Sequence, residues 1–142
     1  MRKLRVSVLM LEDFVPPASL EGLTEKEIAP WKTEYDVLTA VEALGHEASP
    51  LGVSDDLGAI RDGLRRQRPH IVFNLLEEFH GLGGYVPYVL GYLELIGQAY
   101  TGCNPYGLLL ARNKALTKKI LKHHRVRSPE FAIFPAGRVV RC

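Results

Sequence analysis

The sequence predicts an open, mainly parallel α/β sheet of three layers, with helices on both faces. Three observations carry that reading. Short apolar runs alternate from end to end with segments in which apolar residues recur every three or four positions. The runs at residues 4–11 and 70–74 are apolar almost throughout, as in strands covered on both faces, rather than alternating as in strands with one wet side. The chain has 142 residues, a size at which one core buries roughly 70% of the unfolded surface and a second core is not expected.

The elements follow in order. Residues 4–11 (LRVSVLML) form the first strand. The connection 12–31 contains Pro16, Pro17 and Pro30 and a weakly helical stretch at 20–28, and connections this long inside a domain usually serve function. Residues 33–44 put Val37, Leu38, Val41 and Leu44 on one helical face, with Thr33 as N-cap, Asp36 completing a partial capping box, and Gly45 at the stop. Residues 46–52 read as a short strand, and Ser54 or Asp55 caps a helix carrying Leu57, Ile60 and Leu64 that ends before Pro69. Residues 70–74 are the third strand. A glycine-rich loop at 81–84 leads to a helix over 86–95, residues 98–101 give a fourth strand, and Asn104 and Pro105 open a further helix as cap and first residue. Asn113 restarts a helix that runs through His123, and residues 131–134 form a last short strand. Residues 136–142 begin another alternating segment and stop, so the chain is expected to be the front piece of a longer protein.

Composition narrows the function classes. Apolar residues make up 46%, charged residues 24%, and mean hydropathy is −0.02, values that remove whole-chain disorder. No run approaches the ~18 apolar residues of a membrane span, and the first residues show no signal-peptide pattern. Cys103 and Cys142 form no CxxC pair, which gives no basis for a zinc site or a disulfide framework. A cytoplasmic protein with no membrane partner is expected. Net charge is only +2, yet residues 1–100 carry 9 Lys/Arg against 15 Asp/Glu while residues 101–142 carry 9 against Glu130 alone. That basic block lacks interleaved aromatics and any nucleic-acid motif, so no nucleic-acid partner is expected.

In open α/β sheets ligands bind beyond the carboxyl ends of the strands, which singles out Glu12 and Asp13, residues 74–80, and Tyr100-Thr101-Gly102. The acidic pair suits an ammonium group or a metal, or is simply an acidic loop start. Glu77 and Glu78 are adjacent and point apart in most backbones, which disfavours a carboxylate dyad. Residues 81–84 lack the G-x-G-x-x-G spacing of a phosphate loop. His80 precedes that loop, where it can face the crevice or be structural. Lys114, Lys118 and Lys122 recur every four residues on one helical face. Lys122 sits at a helix C-terminus, where a cation is favoured, but Lys114 sits in a first turn, where the helix dipole opposes it, and so is the better candidate for an anionic ligand.

The order of segments resembles the N-terminal part of the D-alanine–D-alanine ligases in the ATP-grasp superfamily. The residues that carry the resemblance are His80-Gly81, Gly83-Gly84, Leu93-Glu94-Leu95, Tyr100-Thr101-Gly102 and Asn113-Lys114, with 20 residues from His80 to Tyr100 and 14 from Tyr100 to Lys114, followed by Pro129 and residues 131–134. It covers residues 71–135 well and 4–52 only as a pattern. The resemblance implies a Rossmann-like pre-ATP-grasp domain over 1–135, with 136–142 the start of an ATP-grasp region that lies elsewhere. It implies ATP-dependent carboxylate–amine ligation by the full-length protein, with ATP and Mg2+ as cofactors that this piece does not bind tightly, and no catalysis by the piece alone. Lys114 would then meet the nucleotide phosphates and His80 would lie by a small amino acid or peptide substrate. Two departures stand out. Tyr85-Val86 replaces two acidic residues after the glycine turn, and Leu11-Glu-Asp-Phe-Val-Pro-Pro17 replaces the glycine-rich loop after the first strand, where Glu12 would take the substrate-holding role. A homodimer is a further implication.

A rival reading is a stand-alone flavodoxin-like or receiver-like binding module, because Glu12-Asp13 imitates the acidic pair of phospho-receivers. That class needs an aspartate after the third strand and a lysine after the last, whereas Asn74 holds the first place and no lysine follows Phe134.

Overall fold

A computed structural model describes residues 2–134 and residue 137. The chain divides into two compact units, Met1–Pro105 and Tyr106–Cys142. The division falls within the expected 1–135 domain, and the expected boundary at 135/136 and, save residue 137, the segment beyond it lie outside the described residues.

In the first unit β1 (Arg5–Leu11), β2 (Glu47–Val53) and β3 (Ile71–Asn74) form a parallel sheet in the order β2-β1-β3. The register places Leu9 opposite Leu51 on one side and Asn74 on the other. Parallel neighbours require crossovers, supplied by α2 (Lys32–Ala43) and α3 (Leu57–Gln67). The strand period of two divides β1 between the layers. Val6, Val8 and Met10 pack with Val41, Val37 and Leu38 of α2. On the opposite face the fully buried Ser7 hydroxyl donates to the Gln67 side chain of α3, and Leu51 lies so close to Gly63 that a Cβ there would overlap it. Val8, Leu9 and Met10 are fully buried, each contributing about 1.5–3 kcal/mol of burial. The three-layer α/β expectation therefore holds.

Several elements differ in detail. The stretch at 20–28 is helical only over α1 (Glu25–Ile28), where the Thr24 N–H donates to Glu27 Oε2 (2.8 Å) in a capping box. Helix α2 starts at Lys32 rather than at a Thr33 cap: a 3-10 turn at Ala29–Trp31 delivers the chain already wound, and Asp36 pairs with Lys32 (2.7 Å) instead of boxing the terminus. Its end follows expectation, with Gly45 at φ +84° and N–H groups of Gly45 and His46 returning to Glu42 and Val41. The cap of α3 is neither Ser54 nor Asp55 but Asp56, which accepts from the Gly58 N–H (2.6 Å). The expected fourth strand at 98–101 is a single parallel bridge, Val72 to Tyr100, because Gly97 and Gly102 turn the chain at both ends with φ of +70° and +100°. Helix α4 (Val86–Leu95) has the expected bounds.

Helix α5 (Pro105–Arg112) starts at Pro105 as expected and continues into the second unit, where Asn113 caps α6 (Lys114–His123) by accepting from the Leu116 N–H (3.0 Å). The Thr117 hydroxyl donates to the Leu110 carbonyl (2.5 Å) and ties the two helices together. Residues 131–134 form no strand: among the described residues they have no ladder partner, and an edge with nothing beside it makes no sheet. No helix among the described residues is long and apolar enough to cross a membrane.

Candidate functional site

At the carboxyl edge of the first unit's sheet, the ends of β1 and β2 and the loop after β3 converge on a cleft of about 310 Å3. It is lined by Glu12, Asp13, Ser54, Asp55, Glu78 and His80, with Leu11 and Gly81. The geometry can be built from the backbone outward.

The chain leaves β1 in a 3-10 turn, Glu12–Phe14, which places two carboxylates directly past the last sheet residue. Beside this turn β2 runs through Gly52, where a Cβ would stand 2.5 Å from Val15 Cγ2 and 3.1 Å from Glu12 Cα. Glycine is what lets the two backbones approach. The Ser54 hydroxyl then reaches across and donates to Glu12 Oε2 (3.0 Å), fixing one carboxylate oxygen.

The third wall is a two-residue hairpin. Phe79 and Leu82 exchange backbone hydrogen bonds of 3.2 and 3.0 Å around His80 and Gly81, whose φ values are +55° and +70°. Two successive positive φ angles are the type I′ pattern, and histidine is among the non-glycine residues that tolerate it. Phe79 anchors the hairpin in the core. The His80 N–H donates to the Ser54 carbonyl (2.7 Å), so the tip is latched to the end of β2, and its Nδ1 lies 3.8 Å from Asp55 Oδ2. The ring is 65% exposed. His80 therefore stands at the rim of the cleft and not in the core.

These contacts explain why capping passes to Asp56. The Ser54 hydroxyl is engaged by Glu12 and its carbonyl by His80, while Asp55 faces the histidine. Reading the sequence for helix signals assigned Ser54 and Asp55 to the wrong task; the signal that finds them is their place just past the end of β2. Of the adjacent glutamates only Glu78 lines the cleft, and no dyad forms. Glu12, Asp13, Asp55 and Glu78 with His80 give the cleft a predominantly acidic lining. Among the described residues no three His, Cys, Asp or Glu side chains converge as a metal-ligand set.

The Tyr100-Thr101-Gly102 segment has a supporting task. The Thr101 N–H donates to the Val72 carbonyl (2.9 Å), its hydroxyl accepts from the Asn74 N–H (3.0 Å), and the Tyr100 hydroxyl donates to Glu94 Oε1 (2.7 Å). The segment thus holds the end of β3 from which the site loop departs. Burial, and then the Glu94 carboxylate, push the Tyr100 hydroxyl up to about 12. Lys114 belongs to the second unit, as the first residue of α6, with an exposed side chain at the helix N-terminus.

The chain is 35% identical over 114 residues to D-alanine–D-alanine ligase B of Xanthomonas campestris, a match covering 80% of this chain and 34% of that protein. It is 36% identical over 94 residues to the D-alanine–D-alanine ligase of Rhizorhabdus wittichii, covering 66% of this chain and 28% of that protein. The chain is D-alanine–D-alanine ligase-like.

The ligase-like chain spans about a third of the length of the curated relatives it matches. Its fold follows the Bacillus anthracis D-alanine–D-alanine ligase complexed with ATP, with a TM-score of 0.67 at 18% identity, over 97% of this chain and 42% of that one. A second structure of that enzyme gives 0.60 at 17% identity. No protein-family model matches the ligase-like chain.

Proposed function

We propose that the chain is the substrate-side N-terminal domain of an ATP-dependent carboxylate–amine ligase of the D-alanine–D-alanine ligase kind, and that by itself it turns over no ATP. The observation that carries the reading is the meeting of Glu12 and His80 in one cleft, latched to each other through Ser54. Glu12 accepts from the ammonium of a small amino acid or peptide substrate, with its second oxygen already held by the Ser54 hydroxyl. His80 donates a ring N–H to the substrate carboxylate, with Asp55 Oδ2 3.8 Å from its Nδ1. A zwitterion is thus held at both ends, which orients it for reaction.

Lys114 is the residue for the nucleotide. It stands at the first position of a ten-residue helix, where the helix N-terminus and an ammonium both favour an anion. ATP bound there supplies the phosphoryl group that activates a carboxylate toward an amine. For Mg2+ the described residues offer no converging set of three or more His, Cys, Asp or Glu side chains. A longer protein containing this chain provides the metal ligands on this reading.

Calorimetric titration of the chain with D-alanine tests the proposal. Binding weakened about tenfold or more by Glu12→Gln and by His80→Asn, with phosphate release from ATP, Mg2+ and D-alanine equal to the blank, is the expected result. Unchanged affinity in both variants, or turnover by the chain alone, overturns it.

A further inference from the structure

The second unit contains a groove that the ligase reading does not use. It lies where α6 ends and the chain doubles back, encloses about 520 Å3, and is lined by Lys118, Lys122, Arg125 and Arg127, with Glu130 and Phe131. We propose that this groove binds a phosphate-rich anion, gripped by Lys122, Arg125 and Arg127.

The charge balance favours it. Four cations face one carboxylate, and the half negative charge of the α6 C-terminus is too small to offset the remaining three. The last carbonyls of α6 are moreover occupied: the Val126 N–H returns to Leu121 (2.9 Å) and the Arg125 N–H to Lys122 (3.0 Å), the Schellman pattern. Among the described residues no carboxylate lies within ion-pair distance of Lys122, Arg125 or Arg127. Lys118 is differently placed, donating to the Pro129 carbonyl (3.3 Å) and lying 5.3 Å from the centre of the Phe131 ring. It stiffens the wall.

Arg125 supplies the second argument. It occupies the left-handed position after the helix, at φ +59°, a seat glycine fills without penalty. An arginine there bears a conformational cost and places its side chain in the groove. Two guanidinium groups offer forked, bidentate donors that suit phosphate oxygens, and the volume falls within the range of ordinary ligand sites. A free polyphosphate and the phosphodiester backbone of a single-stranded nucleic acid share this chemistry.

The test uses the full chain, with inorganic tripolyphosphate followed by calorimetry and a labelled oligothymidylate followed by fluorescence anisotropy. At least one probe is expected to bind, and which one identifies the source of the phosphate. Arg125→Gly and Arg127→Ala should each weaken that binding about tenfold, whereas Lys119→Ala, which removes the same charge outside the groove, should change it less than twofold. Arg125→Gly also relieves the left-handed strain, so its Tm should hold or rise, and lost binding cannot then be a folding defect. Failure of the wild-type chain to bind either probe, or equal losses from Lys119→Ala and the arginine variants, overturns the proposal. Neither result bears on D-alanine binding in the cleft of the first unit.

Discussion

Replacing Gly52 by alanine tests how the cleft is positioned without replacing any residue that lines it. The added methyl would lie 2.5 Å from Val15 Cγ2 and 3.1 Å from Glu12 Cα. Carbon atoms in ordinary contact stand about 3.5–4.0 Å apart, so Glu12 must retreat by roughly 0.4–0.9 Å once Val15 has rotated away. Val15 is 37% exposed and has room to do so; the Glu12 backbone has no such freedom. Overpacking of this kind costs about 1–3 kcal/mol, and for a chain of this size about 4 °C of Tm accompanies each kcal/mol. A retreat of about 0.5 Å also stretches the 3.0 Å Ser54–Glu12 hydrogen bond to the limit at which it counts as one. D-alanine affinity should therefore fall about tenfold, equivalent to ~1.4 kcal/mol. Gly45→Ala is the control: its φ of +84° makes alanine cost ~1–2 kcal/mol, but it sits between α2 and the opposite end of β2. Thermal melts and calorimetric titrations of both variants decide the matter. Equal weakening of D-alanine binding by Gly45→Ala and Gly52→Ala, or Gly52→Ala binding like the wild type, would refute the positioning argument.

Other outcomes follow from the same geometry. Asp56→Ala removes the cap of α3 and should cost about 1 kcal/mol in urea unfolding, while Asp55→Ala, which loses only an exposed contact to His80, should cost less than half of that. Gly81→Ala puts a side chain at φ +70° and should destabilise the chain by ~1–2 kcal/mol, whereas His80→Asn, tolerated at positive φ, should melt like the wild type. Tyr100 has a folded pKa of about 12 against an ordinary value of 10.0. A raised folded pKa stabilises the fold fully below the unfolded value, so this contribution is lost as pH rises from about 10 to about 12. Ultraviolet titration should show one tyrosinate appearing last, and Tyr100→Phe should remove both that step and its share of the alkaline loss of stability.

How much of this was legible in the sequence depended on whether one short segment held the cause. The buried strand Arg5–Leu11 and helix Val86–Leu95 were readable because a continuous apolar run and a helical period each lie within a single stretch. The start of α2 was misread because the 3-10 turn at Ala29–Trp31 performs the task a Thr33 cap would have had. The fourth strand was shortened by Gly97 and Gly102, whose positive φ angles no hydrophobic pattern reports. That Glu12 and His80 line one cleft follows from their places just past the ends of β1 and β3, which an open α/β sheet singles out. Ser54 and Asp55 lie just past the end of β2 as well, but their residue types also suit a helix cap, a task that Asp56 performs. The latch that joins these residues is a backbone bond between positions 26 apart, from the His80 N–H to the Ser54 carbonyl, and only folding brings its partners together.

The central claim is that one cleft, at the carboxyl edge of the first unit, receives the amino-acid substrate. Amide chemical-shift mapping of the labelled chain during a D-alanine titration tests it most directly. The account predicts saturable shifts concentrated on Glu12, Asp13, Ser54, Asp55, His80 and Gly81, lost in Glu12→Gln. Shifts confined to residues 106–134, or spread evenly over the chain without saturation, would contradict it.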